Sequence, residues 1–246
     1  MNGRYRIADR TIGIESLHRE VHALCEHYRA AGGTVDFAVQ TTQADIDFER
    51  EKSVQEDVAK YAFSDGYLET LAVYRQIAER MPSYDTVLMH GSCVAVDGAA
   101  YLFTAKSGTG KSTHVRLWRE MLGERAVMVN DDKPLIRIVD GTAIVYGTPW
   151  DGKHRLSSNI AVPLRAICIL ERAETNAIKS ITAREAFPML VQQIYRPMDT
   201  GAMLKTLQLI DRLSGAVTLW RLGCNMEPEA AAVSYGAMRG EAHEAE

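Results

Sequence analysis

The sequence predicts an α/β fold built around a central sheet. From Thr86 onwards, short apolar segments typical of strands alternate with amphipathic segments typical of helices. One of these strands runs through a loop of small residues, 105–110, straight into a helix. The chain has 246 residues, which suits one large domain or one domain with a small appendage.

We expect two structural parts and a tail. Residues 1–85 are predicted to form a small N-terminal α+β part that packs on the core, although no motif gives it a function. Residues 86–240 are predicted to form the main core, and the polar end, 241–246, is predicted to be frayed.

The N-terminal part contains segments with regular patterns. They are, in chain order, a helical segment that stops at Gly32-Gly33, a strand at 34–42, a polar helix or loop at 43–57, and a helix at 64–81 with Ser64 or Asp65 as its N-cap. The first helix is expected to bury one face, which carries Leu17, Val21, Leu24, Cys25 and Tyr28.

The main core is predicted to alternate strands and helices. Two or three strands lie in 86–105, with Asp97-Gly98 as a hairpin turn. Thr182 and Glu185 have the spacing of a capping box that begins a helix. The other predicted elements are a helix at 111–122, strands at 126–129, 135–141, 143–147, 165–173 and 178–181, a helix at 203–213, a strand at 216–222 and a helix from Pro228.

Composition excludes several classes of protein. The formal net charge is -4, with no basic patch large enough to suggest nucleic acid as a partner. The scattered cysteines favour buried free thiols over disulfides or a zinc site. No signal peptide or membrane-spanning segment is recognisable, so we expect a cytoplasmic protein.

The loop before the helix at 111–122 has the pattern of a phosphate-binding loop. Gly110, Lys111 and Ser112 match G-x-x-x-x-G-K-[ST], and only the first position departs, where Ala105 replaces glycine. Backbone amides of the loop would cradle phosphates, Lys111 would reach the β and γ phosphates, and Ser112 would bind Mg²⁺. The predicted nucleotide-binding residues are Ala105, Lys106, Ser107, Gly108, Thr109, Gly110, Lys111, Ser112 and Thr113.

A pair of carboxylates follows the next strand along the chain. Asp131 and Asp132 come directly after the apolar residues 126–129, at the strand end where α/β sheets place their ligands. One carboxylate could hold Mg²⁺ and the other could accept a proton from an attacking hydroxyl. An ordinary solvated turn is the alternative interpretation.

His90 is a third candidate. It ends an apolar segment that we expect to neighbour the strand of the phosphate loop, so its imidazole could reach the carboxylates. An inert polar residue at a strand end remains an equally good interpretation.

These features, in this order, resemble the catalytic core of the HPr kinase/phosphorylase family and its ATP-dependent phosphoenolpyruvate carboxykinase relatives. The matching residues are His90-Gly91, 105–113 and Asp131-Asp132, within Thr86 to Arg172. The resemblance implies a P-loop core with a central mixed sheet. It also implies that one aspartate is a general base assisted by His90, whereas the other aspartate and Ser112 hold Mg²⁺. We assign Asp131 as the base and Asp132 to the metal.

The chain also departs from these families. Thr113 follows the Gly-Lys-Ser run where HPr kinases have glutamate, and the glycine-rich signature of HPr kinases is absent. The chain is too short for a carboxykinase. It looks like an uncharacterised bacterial branch, in which some members accompany peptide-modification genes, so HPr is not expected as its substrate.

The stretch in place of that signature is where we expect the phosphoacceptor. Lys153, His154 and Arg155 form a compact positive cluster, and Trp150 could stack on the acceptor. Arg196 is a weaker candidate for contacting the transferred phosphate. A basic surface hairpin and a solvated arginine are the alternatives.

The sequence therefore predicts a kinase that uses ATP and Mg²⁺, with Lys111, Asp131, Asp132 and His90 as catalytic residues. The acceptor would be a hydroxyl group, of serine in a peptide or protein or of a small molecule. Two other functions stay open, a regulator that binds ATP and hydrolyses it slowly, and a carboxykinase-like enzyme.

Overall fold

The computed structural model describes residues 1–55, 63–152 and 154–240. It divides into two compact units, Met1–Arg80 and Met81–Glu246. The tail expected to fray, 241–246, lies outside the described residues. None of the helices within the described ranges has both the length and the apolar character needed to cross a membrane.

The N-terminal unit combines a small sheet with helices. Its elements are β1 (Asn2–Ile7), β2 (Arg10–Glu15), α1 (Arg19–Leu24), β3 (Phe37–Gln40), α2 (Gln43–Gln55) and α3 (Asp65–Arg80). The strands are ordered β1-β2-β3, with β1 and β2 antiparallel and β2 and β3 parallel. Ala8 and Asp9, both at positive φ, form the tight turn of the first hairpin.

Some expectations for this unit are confirmed and others are wrong. The strand at 34–42 and the helix from Asp65 are present, and Ser64 accepts a hydrogen bond from the Tyr67 amide as an N-cap does. The first helix, however, ends at Leu24 and gives way to a 3-10 turn, Glu26–Tyr28, well before Gly32-Gly33.

Glu69, on α3, is fully buried in this unit and is surrounded by hydrogen-bond donors. Its carboxylate accepts from the backbone amides of Leu17 and His18 at 2.7 Å each, from His18 Nδ1 at 2.9 Å and from Thr41 Oγ1. Burial alone would raise the pKa of Glu69, but these hydrogen bonds outweigh it and lower the pKa below its usual value. Glu69 therefore fastens α3 to the segments that follow β2 and β3.

The second unit is built on one large mixed sheet. Its strands are β4 (Thr86–Leu88), β5 (Ser92–Val96), β6 (Ala99–Thr104), β7 (Ala126–Asn130), β8 (Leu135–Val139), β9 (Thr142–Tyr146), β10 (Ala161–Arg172), β11 (Ala177–Ser180) and β12 (Thr218–Cys224). Its helices are α4 (Lys111–Leu122), α5 (Ala183–Gln193), α6 (Thr200–Ala216) and α7 (Glu229–Met238). Asp97 and Gly98 form the predicted turn between β5 and β6, both at positive φ.

The sheet order places side by side the strands that adjoin the candidate site residues, β5, β6 and β7. Within the described residues the order is β4-β8-β9-β10-β6-β5-β7, and β12 pairs with β10 and β11. Because β5 is antiparallel to both β6 and β7, the last residues of β6 and β7 and the first residue of β5 meet at one edge. β10 is parallel to β6 and ends at the same edge.

Two apolar layers cover the faces of this sheet. One layer packs Leu102, Ile167 and Val129 against α5 and α6, and the other packs Phe103 and Cys168 against α4 and α7. The predicted capping box of α5 is present in both halves, between Thr182 and Glu185. All the cysteines are free, and all but Cys224 are buried, as expected.

Close backbone packing fixes the segment after β9. A Cβ on Gly147 would lie 1.9 Å from the Ser158 carbonyl oxygen and 2.7 Å from that of Val129, so no other residue fits there. The chain is thereby held against β7, and the stretch from Trp150 to Ser157 returns beside the aspartate pair.

Candidate phosphoryl-transfer site

The predicted phosphate loop, residues 105–110, adopts a conformation that glycine makes possible. It joins β6 to α4, with Gly108 at φ +76° and Gly110 at φ +120°. Ala105 is buried and is not at positive φ, so alanine replaces glycine there without strain. Among the described residues, none accepts a hydrogen bond from the amides of Ser107, Gly108 or Gly110. These amides, at the N-terminus of α4, could bind an anion.

Lys111 lies inside the loop and is mostly buried. Its Nζ donates to the Ala105 carbonyl at 3.2 Å. Burial lowers the pKa of Lys111, the nearby charge of Lys133 adds to that effect, and the carboxylates of Asp132 and Asp131 oppose it. Among the described residues, no carboxylate forms a direct ion pair with this ammonium group, although the charges of both aspartates act on it.

Asn130 shapes the turn that carries the two aspartates. Its side chain is fully buried, and its Oδ1 accepts from the amides of Asp132 at 2.8 Å and Lys133 at 2.6 Å. Its Nδ2 donates to Thr148 Oγ1 at 3.0 Å. The asparagine therefore holds the backbone of the carboxylate pair against the chain that follows β9.

The two aspartates have different surroundings. Asp131 is buried, and its Oδ1 accepts a 2.6 Å hydrogen bond from Ser92 Oγ, at the start of β5. Asp132 is about a third exposed and lies 3.5 Å from Lys133 Nζ. Asp151 is a buried carboxylate that accepts a 2.9 Å hydrogen bond from Ser157 Oγ. Burial raises the pKa of Asp151, and the charge of Asp131 adds to this effect, so the two carboxylates lie near each other.

His90 contacts Asp132 rather than Asp131. Its Nε2 lies 3.4 Å from Asp132 Oδ1, and its Nδ1 lies 2.9 Å from Gln193 Oε1. Burial, with the charges of Lys133 and Lys111, lowers the pKa of His90 to about 4, so the imidazole is neutral at pH 7. With Nδ1 donating to Gln193, the unprotonated Nε2 faces Asp132.

The path of the chain around His90 corrects one expectation. β4, which precedes His90, does not neighbour β6, because it pairs with β8 instead. The neighbour of β6 is β5, which follows His90. Gly91 makes the tight passage between the two strands, since a Cβ there would lie 3.0 Å from Leu102 Cδ2 and from the Phe103 carbonyl oxygen.

A cleft of about 240 Å³ opens beside α4, next to the phosphate loop. Ser112 and Asp131 line it together with His154, one member of the predicted basic cluster.

The expected Mg²⁺ ligands, Ser112 and Asp132, are both oxygen donors. The described residues contain no group of three or more His, Cys, Asp or Glu side chains that could hold a metal ion.

The structure describes three of the other residues expected at the acceptor site. Lys153 lies outside the described residues. Arg155 is exposed at φ +52°, and its charge acts on Asp151. Trp150 is buried, so its ring does not offer a stacking surface. Arg196 is exposed and follows the segment 193–195, whose backbone pairs with residues 88–90.

Sequence reasoning missed several residues of this site. Asn130 could have been noticed, because it directly precedes the aspartate pair, and Asp151 lies within the stretch already singled out. Ser92 and Gln193 come from distant parts of the chain, and Arg172, at the end of β10, donates to the Gly108 carbonyl of the loop. No local pattern marks these three residues.

Comparisons with known proteins give a structural likeness but no match in sequence. No protein-family model matches the sequence, and no curated protein matches it. Among solved structures, the Hpr(Ser) kinase/phosphatase from Coxiella burnetii matches with 14% sequence identity and a TM-score of 0.28. The match covers 51% of this chain and 96% of that chain. It is a weak likeness to an HPr kinase-like fold.

Proposed function

We propose that the unit Met81–Glu246 is a kinase that uses Mg²⁺ and transfers the γ-phosphoryl group of ATP to a hydroxyl group. The observation that carries the proposal is the meeting, at one sheet edge, of an amide-lined loop, the buried Lys111 and the Asp131-Asp132 pair. A loop that only caps a helix needs neither a buried lysine nor carboxylates facing it.

ATP would bind through the phosphate loop. The amides of Ser107, Gly108 and Gly110, with the positive end of α4, attract the phosphate oxygens. Lys111 exchanges its bond to the Ala105 carbonyl for the β and γ oxygens, because a charge-assisted bond is stronger than one to a neutral carbonyl.

Ser112 and Asp132 are the residues that would hold Mg²⁺, which when bound neutralises charge on the phosphate oxygens. Two protein ligands fit this ion, since Mg²⁺ takes its remaining ligands from substrate phosphates and water. The neutral imidazole of His90 lies 3.4 Å from Asp132 Oδ1 and adds no positive charge beside this carboxylate. This is a revision of its expected role, which was to assist the base.

Asp131 would accept the proton of the acceptor. It is the carboxylate of the pair that lines the cleft beside α4, and the hydrogen bond from Ser92 fixes one of its oxygens. The acceptor oxygen bonds to the γ phosphorus, the bond from that phosphorus to the β–γ bridging oxygen breaks, and the hydroxyl proton passes to Asp131.

Phosphorus NMR tests this proposal. Wild-type protein is incubated with ATP, Mg²⁺ and a mixture of serine-containing peptides and small hydroxyl compounds, and the expected product is a phosphomonoester formed together with ADP. The Asp131→Asn variant should form it about a thousandfold more slowly, within the range of general-base contributions. Asp140→Asn is the matched control, because Asn tolerates the positive φ of that exposed turn.

The same experiment separates the alternatives. A regulator would bind ATP and hydrolyse it slowly, equally in wild type and Asp131→Asn, without a phosphomonoester.

The two aspartate roles are distinguished by Mg²⁺ titration. Asp132→Asn should raise the Mg²⁺ concentration needed for half-maximal rate, whereas Asp131→Asn should lower the rate at every Mg²⁺ concentration. The opposite pattern would exchange the roles.

A further inference from the structure

The cleft beside α4 has chemically different ends. Ser112 and Asp131 line one end, and Arg116 and Arg119 lie further along the same helix. Val115 lies between these residues on α4, and Met128 and Leu156 add further apolar side chains to the lining. A ligand that follows α4 from Ser112 would thus pass the apolar Val115 and reach positive charge at Arg116 and Arg119.

Arg119 is a cation of this cleft that is not neutralised by the part of the chain that the structure describes. It is half-buried, and among the described residues no carboxylate forms an ion pair with it. Arg116 does pair with Glu120 at 2.5 Å, but both side chains are more than half exposed. Exposed pairs of this kind contribute little and exchange partners readily. Both guanidinium groups are therefore open to an anionic ligand.

Helix geometry sets the distance between the reacting end and the positive end. Arg116 and Arg119 follow Ser112 by four and seven positions, which corresponds to about 6 and 10 Å along α4. An extended peptide advances about 3.3 Å per residue. An anionic group two or three residues from the reacting hydroxyl would therefore meet these arginines.

The size of the cleft favours a short flexible segment. Its volume, about 240 Å³, is smaller than that of most sites for drug-sized ligands, so only a few residues of a ligand can enter. A folded protein surface does not fill a narrow cleft, whereas an extended peptide can place alternate side chains in it.

We propose that the phosphoacceptor is an extended peptide segment with an acidic group two or three residues from the serine or threonine that is phosphorylated, and that Arg119, supported by Arg116, selects for this acid. The inference rests on the proposed kinase function and adds the class of substrate to it. Arg119 acts here as a specificity residue that contacts the substrate away from the reacting atoms.

Synthetic peptides test the proposal directly. Each blocked peptide carries a single serine, with glutamate, glutamine or lysine placed two or three residues to either side. Phosphopeptide formation is measured by mass spectrometry with ATP and Mg²⁺. For wild type, the best glutamate peptide should have a kcat/KM about tenfold above its glutamine counterpart, the size expected for one charge-assisted contact.

Variants identify the residue responsible. Arg119→Gln should reduce the preference for glutamate over glutamine to near unity, and Arg119→Lys should restore part of it. ATP binding and the rate on the glutamine peptide should stay unchanged in both. Arg165→Gln is the control, since that arginine lies on β10 and bonds the Gly240 carbonyl.

Several outcomes overturn the proposal. Equal rates on glutamate and glutamine peptides in wild type would do so, as would a glutamate preference that survives Arg119→Gln. ATP binding and hydrolysis without any phosphopeptide would overturn the peptide acceptor but leave the nucleotide site intact. Failure of the wild type to bind ATP would instead contradict the proposed kinase function.

Discussion

Each of the two units buries a carboxylate, and their surroundings differ sharply. Glu69 in the N-terminal unit receives hydrogen bonds from two backbone amides, a histidine and a threonine. Within the described ranges, Asp131 in the second unit receives one, from Ser92, and it lines an open cleft near a second buried carboxylate, Asp151. A fully bonded carboxylate stabilises the fold, whereas an incompletely bonded one that faces a cleft remains available for chemistry.

The largest expected effect concerns the catalytic carboxylate. Asp131→Asn should slow phosphoryl transfer about a thousandfold, because the amide cannot accept the proton. Its free energy of unfolding should change by less than about 1 kcal/mol, because the amide oxygen can still accept from Ser92. The rate of phosphoryl transfer and urea denaturation measure these two effects. A large loss of stability with an unchanged transfer rate would show that Asp131, like Glu69, is a structural carboxylate.

The structural carboxylate should show the opposite response. Glu69→Gln puts an NH₂ group where an oxygen accepts hydrogen bonds, and it should lower the free energy of unfolding by about 3 kcal/mol. ATP binding by the folded protein should not change. Urea denaturation is the measurement, and Glu51→Gln, at an exposed position of α2, is the matched control.

The histidine beside the aspartate pair makes stability depend on pH. The pKa of His90 is lowered to about 4 in the folded protein, whereas the unfolded chain takes up the proton near 6.5. The unfolded state therefore binds more protons between these values, and stability should fall as the pH falls from 6.5 towards 4. Urea denaturation at pH 7 and pH 5 should show a smaller fall for His90→Gln than for wild type.

If the fall were the same in His90→Gln, the lowered pKa of His90 would be contradicted. The buried His114, whose pKa burial also lowers to about 4, would then account for the whole fall. At lower pH the depressed pKa of Glu69 adds a second loss, which begins below its ordinary value of 4.5 and grows as the pH approaches the lowered one.

The smallest expected effects come from the hydroxyl donors. Thr41→Val removes one of the donors to Glu69 and should destabilise the protein by about 1–2 kcal/mol, because the carboxylate stays buried. Ser92→Ala removes the hydroxyl that donates to Asp131, which can still reach water through the cleft, so the loss should be below about 1 kcal/mol. Thermal or urea unfolding of both variants ranks them, and an equal loss would remove the distinction.

Much of the fold was predictable because its signals are local. The Asp97-Gly98 turn, the Thr182–Glu185 capping box and the alternation of strands and helices after Thr86 each depend on residues near in sequence. The first hairpin, β1 and β2, was not anticipated. The first helix is shorter than the sequence predicts, because the apolar spacing of the helix continues through a 3-10 turn.

The candidate site was only partly predictable, because only some of its residues belong to local motifs. The phosphate loop and the aspartate pair are contiguous motifs. The partners that distinguish the two aspartates, Ser92 and His90, are set by sheet order, which placed β4 beside β8 and β5 beside β6. Sequence spacing cannot report such pairings. It also gave no sign that Trp150 would be buried.

Binding of ATP is the most direct test of the central claim, that this sheet edge is a nucleotide-phosphate site. Calorimetric titration with ATP and Mg²⁺ should give one saturable site in wild type. Lys111→Met should weaken it roughly tenfold to a hundredfold, the value of a lost charge-assisted bond, and Lys179→Met, at an exposed position of β11, should not. No binding by wild type, or equal affinity in Lys111→Met, would contradict the account.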